Sequence, residues 1–319
     1  MKCPNCGLEN PDNYAFCGRC GAIVQQNRVI DRARIEQEKK RMADLIKRRR
    51  STDRMISPWW ALVIVAVQII SIIADIAASI SSAFYGQSLS VTISQLIFYG
   101  GTISAVLMGV YVIYCLIDRQ NKHFAREWRL RSSILDMIKS MAGSAEAEAI
   151  LMRDIGPMLD SHRPAETHRS PMLWSFIAGI PAIVTAFFGI LTFAGAAWTI
   201  TIVMAISVLM ALLVAIICVI FTIYIFHFLT KDMQEHDQRW WQFSTAATNA
   251  FTKFGIKSDY SVQPHPLPVR EAWIYVILCI IPFFFFFWFY SIIADGNEHF
   301  KHQRAFEKWL YESVGKLKY

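Results

Sequence analysis

The feature that most restricts this chain is a run of 58 residues, Met172 to Leu229, without a single Asp, Glu, Lys or Arg. As one helix it would extend ~87 Å, nearly three times the ~30 Å hydrocarbon core of a bilayer. A soluble core helix does not reach that length and apolarity, so the run must reverse and its parts read as membrane spans. Residues 55–117 repeat the pattern, with 63 residues and one charge, Asp75. The whole chain is 54% hydrophobic and only 18% charged, against ~25% charged in an ordinary soluble domain.

The apolar sequence divides into five spans, at about 59–83, 91–117, 172–194, 199–229 and 272–294. Reversals are expected at Tyr85-Gly86-Gln87-Ser88 and at Gly195-Ala196-Ala197-Trp198, where small and polar residues suit a turn. Trp59, Trp60, Tyr85, Trp174, Trp198, Trp273 and Tyr290 lie near span ends, as in an aromatic belt at headgroup level. Lys and Arg number 7 from Lys40 to Arg54, 9 in the loop 118–171 and 5 in the loop 230–271. The short reversals have none. Positive loops stay inside, so the N-terminus and both long loops are expected on the cytoplasmic side of a multi-pass cell-membrane protein.

Five crossings put the tail, Asp295 to Tyr319, on the opposite side. Its 5 Lys and Arg resemble the cytoplasmic loops instead, and a re-entrant segment kinked at Pro282 would return it. The apolar run matches one crossing, and a simple span is the expectation taken forward. The first residues are polar, so no secretory signal is read there.

The net charge is +7, and Arg28 to Arg54 alone holds 11 Lys or Arg against 5 Asp or Glu. No Gly or Pro interrupts that stretch, so a basic juxtamembrane helix is expected within 27–57. A topology anchor and contact with anionic lipid both account for Lys47-Arg48-Arg49-Arg50. A short coiled coil with a partner is a third reading.

Cys3-Pro4-Asn5-Cys6-Gly7 and Cys17-Gly18-Arg19-Cys20-Gly21 are two CxxC knuckles separated by ten residues. Four thiolates so spaced can close a tetrahedron, and the following glycines let backbone N–H groups turn toward sulfur. A cytoplasmic N-terminus disfavours disulfides. Cys3, Cys6, Cys17 and Cys20 are therefore expected to hold a structural Zn2+, with iron the rival metal. A segment of about 26 residues cannot bury a core alone, so the metal supplies the fold of residues 1–26 and a chelator should unfold it. Protein fills all four positions and leaves none open for catalysis. The nearly balanced charge of this segment argues against nucleic acid as partner. Cys115, Cys218 and Cys279 lie in spans and read as small apolar residues.

A CPxCG…FCxxCG ribbon followed by a charged linker and several spans resembles the zinc-ribbon membrane proteins common in archaea and bacteria. The resemblance is specific over residues 1–22. It is loose over the spans, where Thr230-Lys231-Asp232 follows a Tyr-rich end. Most such families have no assigned activity, so the resemblance implies placement rather than chemistry.

Three spans end alike. Asp118 is followed by His123, Asp232 by His236, and Asp295 by His299 and His302. Either Asp and His mark where helices leave the bilayer, or the copies form a ring that binds a metal or gates a pore. A ligand set needs the three to converge. The repeat also makes spans one-two and three-four look like two copies of a hairpin.

Within the first span, Gln68, Ser71, Asp75, Ser79 and Ser82 share one helical face. Asp75 reads as interfacial or as lining a polar path. Gly101, Ala105 and Gly109 are spaced by four, as are Ala178, Ala182 and Ala186, which suits close packing in a bundle or homo-oligomer. There is no P-loop, GxSxG, HExxH or glycine-rich nucleotide turn. His162 and His168, with Arg163 and Arg169, read as solvated loop.

The chain is thus expected to be an all-α polytopic membrane protein carrying a small zinc ribbon. Its parts are a ribbon (1–26), a basic helix (27–57) and a membrane domain (58–319). The function read from it is a non-enzymatic scaffold or accessory subunit that recruits a cytoplasmic protein partner through the ribbon. The alternative is a small channel or transporter with a polar path near Asp75. A membrane enzyme built on the Asp/His sites is the third reading, which a second bound metal would revive.

Overall fold

Apolar periodicity and the breakers that bound it lay out eight helices among the described residues. They are α1 (Arg32–Thr52), α2 (Trp59–Tyr85), α3 (Leu89–Ala142), α4 (Ala145–His162), α5 (Pro171–Phe193), α6 (Thr201–Lys253), α7 (Ala272–Leu278) and α8 (Phe284–Gly315). The structure, a computed structural model, describes residues 2–3, 5–10, 17, 19, 32–86, 89–142, 145–162, 167–193, 201–253, 267–281 and 284–315. The reversal expected at 195–198 lies outside them.

Local chemistry explains the ends. α2 starts after Pro58, whose φ of −63° is already helical and whose missing N–H has no helical partner to lose. It stops at Gly86, where a φ of 66° takes the chain out of the helix and the Gly86 N–H closes on the Ser82 carbonyl. α2 then packs on α3 through small residues. A Cβ at Gly101 would collide with the Ser71 side chain, and Ala105 is buried, so the expected close approach forms at these two positions. Gly109 instead opens on a cavity.

Two helices, Trp59–Phe84 and Leu89–Ala142, are long and apolar enough to cross a membrane, and only 17% of each apolar window is buried. A soluble core helix would turn such residues inward. Here Leu62, Ile69, Ile73, Ile76 and Ile80 of α2 point outward.

The long helices do not stop where their apolar sequence stops. α3 has 54 residues and α6 has 53, about 80 Å each. Three layers follow along them. An apolar layer joins Ile113, Leu116 and Ile117 of α3, Ile225, Phe226 and Leu229 of α6, and Trp288, Phe289 and Ile293 of α8. A second, separate core joins Leu130, Ile134 and Ile138 of α3, Trp240 and Phe243 of α6, Phe306 and Leu310 of α8, and Met42 and Leu45 of α1. A buried polar layer lies between, with His123, Glu127, His236 and His299.

The segment 272–294, expected as one span, does not form one helix. α7 ends at Leu278, a turn follows over Cys279–Ile281, and α8 runs back. The Arg270 guanidinium donates to Asp295 at 2.6 and 2.9 Å, whereas one straight helix would hold the ends of this segment about 33 Å apart. Tyr275 of α7 meets Phe284 and Trp288 of α8 across the hairpin. Proline at 282 disfavours helix at the residue before it and cannot donate a backbone bond. As a result the tail shares a core with α1, at the same end of the molecule as the basic helix, and not at the opposite end.

Candidate metal centres

The ribbon is built by short-range contacts. Gly7, at a φ of 76°, turns the first knuckle and its N–H closes on the Cys3 carbonyl at 2.9 Å. The Asn5 N–H points at the Cys3 sulfur at 3.4 Å, and the Arg19 N–H at the Cys17 sulfur at 3.5 Å. The sulfurs of Cys3, Cys6 and Cys17 lie within 4.8 Å of one another. Cys6 and Cys17 stand 3.5 Å apart, too far for a disulfide. Amides turned toward clustered sulfurs are what a thiolate-held cation needs, so these residues fit Zn2+. Cys20 lies outside the described residues.

The three repeated histidines converge. His123 sits on α3, His236 on α6 and His299 on α8, each beyond the apolar part of its helix. Their ring centroids form a nearly equilateral triangle with sides of 5.1, 5.1 and 5.0 Å. The Nε2 of His123 is 3.2 Å from those of both His236 and His299. Glu127, one helical turn beyond His123, brings Oε2 to 3.3 Å from His123 Nε2 and into contact with His236 Nε2. All four side chains are sealed from solvent, at 0–1% exposure.

A second tier of carboxylates fixes the rings. Asp53, at the end of α1, lies 3.0 Å from His123 Nδ1, and Asp237 lies 2.6 Å from His299 Nδ1. Asp237 also accepts the Leu267 N–H. Arg126 donates to Asp53 at 2.8 Å and to Glu307, which Arg49 also reaches at 3.1 Å. Arg131 pairs with Glu127.

The charges follow from these contacts. Burial by itself raises the Asp53 carboxyl, but His123 and Arg126 outweigh it and bring it down to about 2. Burial also opposes an ionised Glu127, and Arg131 with His236 overcomes it, holding the carboxyl well below its usual range. An ionised carboxylate only accepts, so Asp53 and Asp237 take the Nδ1–H of His123 and His299 and leave the Nε2 atoms of both rings facing into the cluster. Burial, with the nearby His236 and His123, pushes the His299 imidazole down to about 4 despite Asp237. Burial disfavours a charged His123 too, yet Asp53 and Glu127 prevail and raise it. The cluster therefore draws positive charge to its centre without letting every ring protonate.

The aspartates of the repeat behave differently. Asp118 pairs with Lys122, Asp232 with Arg169, and Asp295 with Arg270, so none of the three joins the histidine cluster. His302 faces Glu298 at the surface. Arg169 is not solvated loop: it donates to Asp232 at 2.8 Å and lies 4.1 Å over the Phe228 ring. His168 is exposed. Asp75 is half-buried and outside the apolar cavity of about 730 Å³, which Gln68, Gly109, Phe226 and Phe289 help to line. Glu127, Asp53 and Asp237 are the site residues that the repeat alone does not reveal. The His-x3-Glu spacing on α3 was the readable signal for the first.

Residues 2–24 match the zinc-ribbon domain family. Comparisons with curated proteins and with solved structures find no match.

Proposed function

We propose that this protein is an integral membrane scaffold, which crosses the bilayer several times and recruits a cytoplasmic protein partner through its N-terminal zinc ribbon. The observation that carries the reading is the second helical core. α3, α6 and α8 run on from the apolar layer into a body of their own, and that body also packs α1, the helix that follows the ribbon. Such a body is more than is needed to link spans, and it offers a rigid mount for a small recognition module. Zinc in the ribbon is structural in this reading, because protein sulfur fills every position. The test is affinity purification of the full chain in mild detergent. A stoichiometric partner is expected with the natural sequence and is lost with Cys17→Ser; bare protein from both would remove the reading.

In the same proposal the membrane part comprises four crossings and the re-entrant α7–α8 hairpin, with the N-terminus, both long connections and the tail in the cytoplasm. The positive-inside distribution and the Arg270–Asp295 contact support it. A thiol placed by Lys308→Cys on the exposed face of α8 should resist an impermeant reagent added outside intact cells and react once they are opened. Reaction from outside would return the tail to the other side.

A further inference from the structure

We infer that His123, Glu127, His236 and His299 form a second metal centre, separate from the ribbon, which binds a divalent transition ion of the zinc type and staples α3, α6 and α8 together.

Four donors at the corners of a tetrahedron about 2.0–2.1 Å from a central ion stand about 3.3 Å from one another. The observed separations among the Nε2 atoms and the Glu127 oxygen include 3.2, 3.2 and 3.3 Å. Asp53 and Asp237 hold the Nδ1 side of two of the rings, so the Nε2 atoms and the Glu127 carboxylate crowd one space sealed from water, all within 4.8 Å of one another. A cation there would engage all four donors at once.

An outer tier of carboxylates backs the rings. Metal-bound histidines characteristically donate their other ring N–H to a carboxylate, which fixes the tautomer and strengthens the ligand. Asp53 and Asp237 stand in that position behind two of the rings. Arg131 and Phe124 fill further sides, the latter with its ring centroid 4.1 Å from that of His236. Three nitrogens and one carboxylate oxygen suit zinc better than magnesium or calcium, which take mostly oxygen.

The four side chains supply a full four-coordinate donor set and none is exposed, so no position stays open for substrate. The site draws one histidine from each of the three helices into a single cluster. The ion is therefore structural, and it holds the boundary between the apolar layer and the helical body. This inference is independent of the partner-recruiting role of the ribbon.

The experiment is a metal count on the full chain purified in detergent, by elemental mass spectrometry. Two ions per chain are expected. A ribbon variant, Cys3→Ser with Cys17→Ser, should keep one. His236→Gln should also keep one, that of the ribbon. Protein stripped with a chelator and reloaded with Co2+ gives a readout that separates the two. The ribbon variant should show tetrahedral visible bands without the thiolate-to-cobalt charge-transfer band in the near ultraviolet. A folded ribbon variant that binds no metal would overturn the inference, as would a natural chain that binds only one ion. Should His236→Gln fail to fold, the ribbon variant decides alone.

Discussion

Replacing Arg126 by Met is expected to destabilise the protein by about 3–5 kcal/mol, the usual cost of removing one partner from a buried ion network. Arg126 is the cation between two buried carboxylates, Asp53 and Glu307, and it also reaches Gln303 at 3.3 Å. Without it Glu307 keeps Arg49, and Asp53 keeps His123 and Thr52. Both would stay nearly sealed from water, where an unpaired charge is costly. Burial already raises the Glu307 carboxyl despite Arg126 and Arg49, so this residue would be the first to take up a proton. Denaturation of the full chain in micelles, followed by circular dichroism, reads the effect. The double variant Arg126→Met with Glu307→Gln should recover part of the loss, because the stranded charge is gone. A loss below ~1 kcal/mol would mean that water enters this layer and screens it.

Phe243→Ala should cost a similar amount, about 3–5 kcal/mol, for a different reason. The ring is fully buried in the second core, among side chains from α1, α3, α6 and α8. Removing it leaves a cavity in a tightly packed interior, where lost contacts are not replaced. The ring also lies 5.5 Å from the Arg131 guanidinium, which pairs with Glu127. The variant should therefore loosen the histidine cluster as well as the core. Thermal unfolding in detergent gives the stability change. Phe243→Leu, which keeps most of the volume, should lose well under half as much.

The apolar segments were legible because their signal is local and long. A helix of 27 residues with one charge, such as α2, needs no tertiary information to be recognised. The CxxC knuckles were legible for the same reason, since a few residues enclose the whole knuckle. The Asp and His shared by three apolar segments could be seen, but only as a repeated pattern. Its two halves had opposite fates. The aspartates paired with Lys122, Arg169 and Arg270, while His123, His236 and His299 turned inward and met. Which face of a helix meets its neighbours depends on the crossing of all three helices, and the pattern of one helix does not contain that angle.

The tail shows the same division. Twenty-three apolar residues are long enough for one crossing, and length was the strongest local guide. The α7–α8 hairpin won because proline at 282 weakens the straight helix and because Arg270 and Asp295 pair when the chain turns back. Sequence by itself determined which stretches are apolar, where the ribbon lies and which end of the first apolar helix carries the positive charge. The tertiary structure alone decided that Glu127, Asp53 and Asp237 join three histidines more than a hundred residues apart in places, and that the tail returns to α1. The physical reason is that burial patterns act along one helix, whereas a ligand set is a meeting of several.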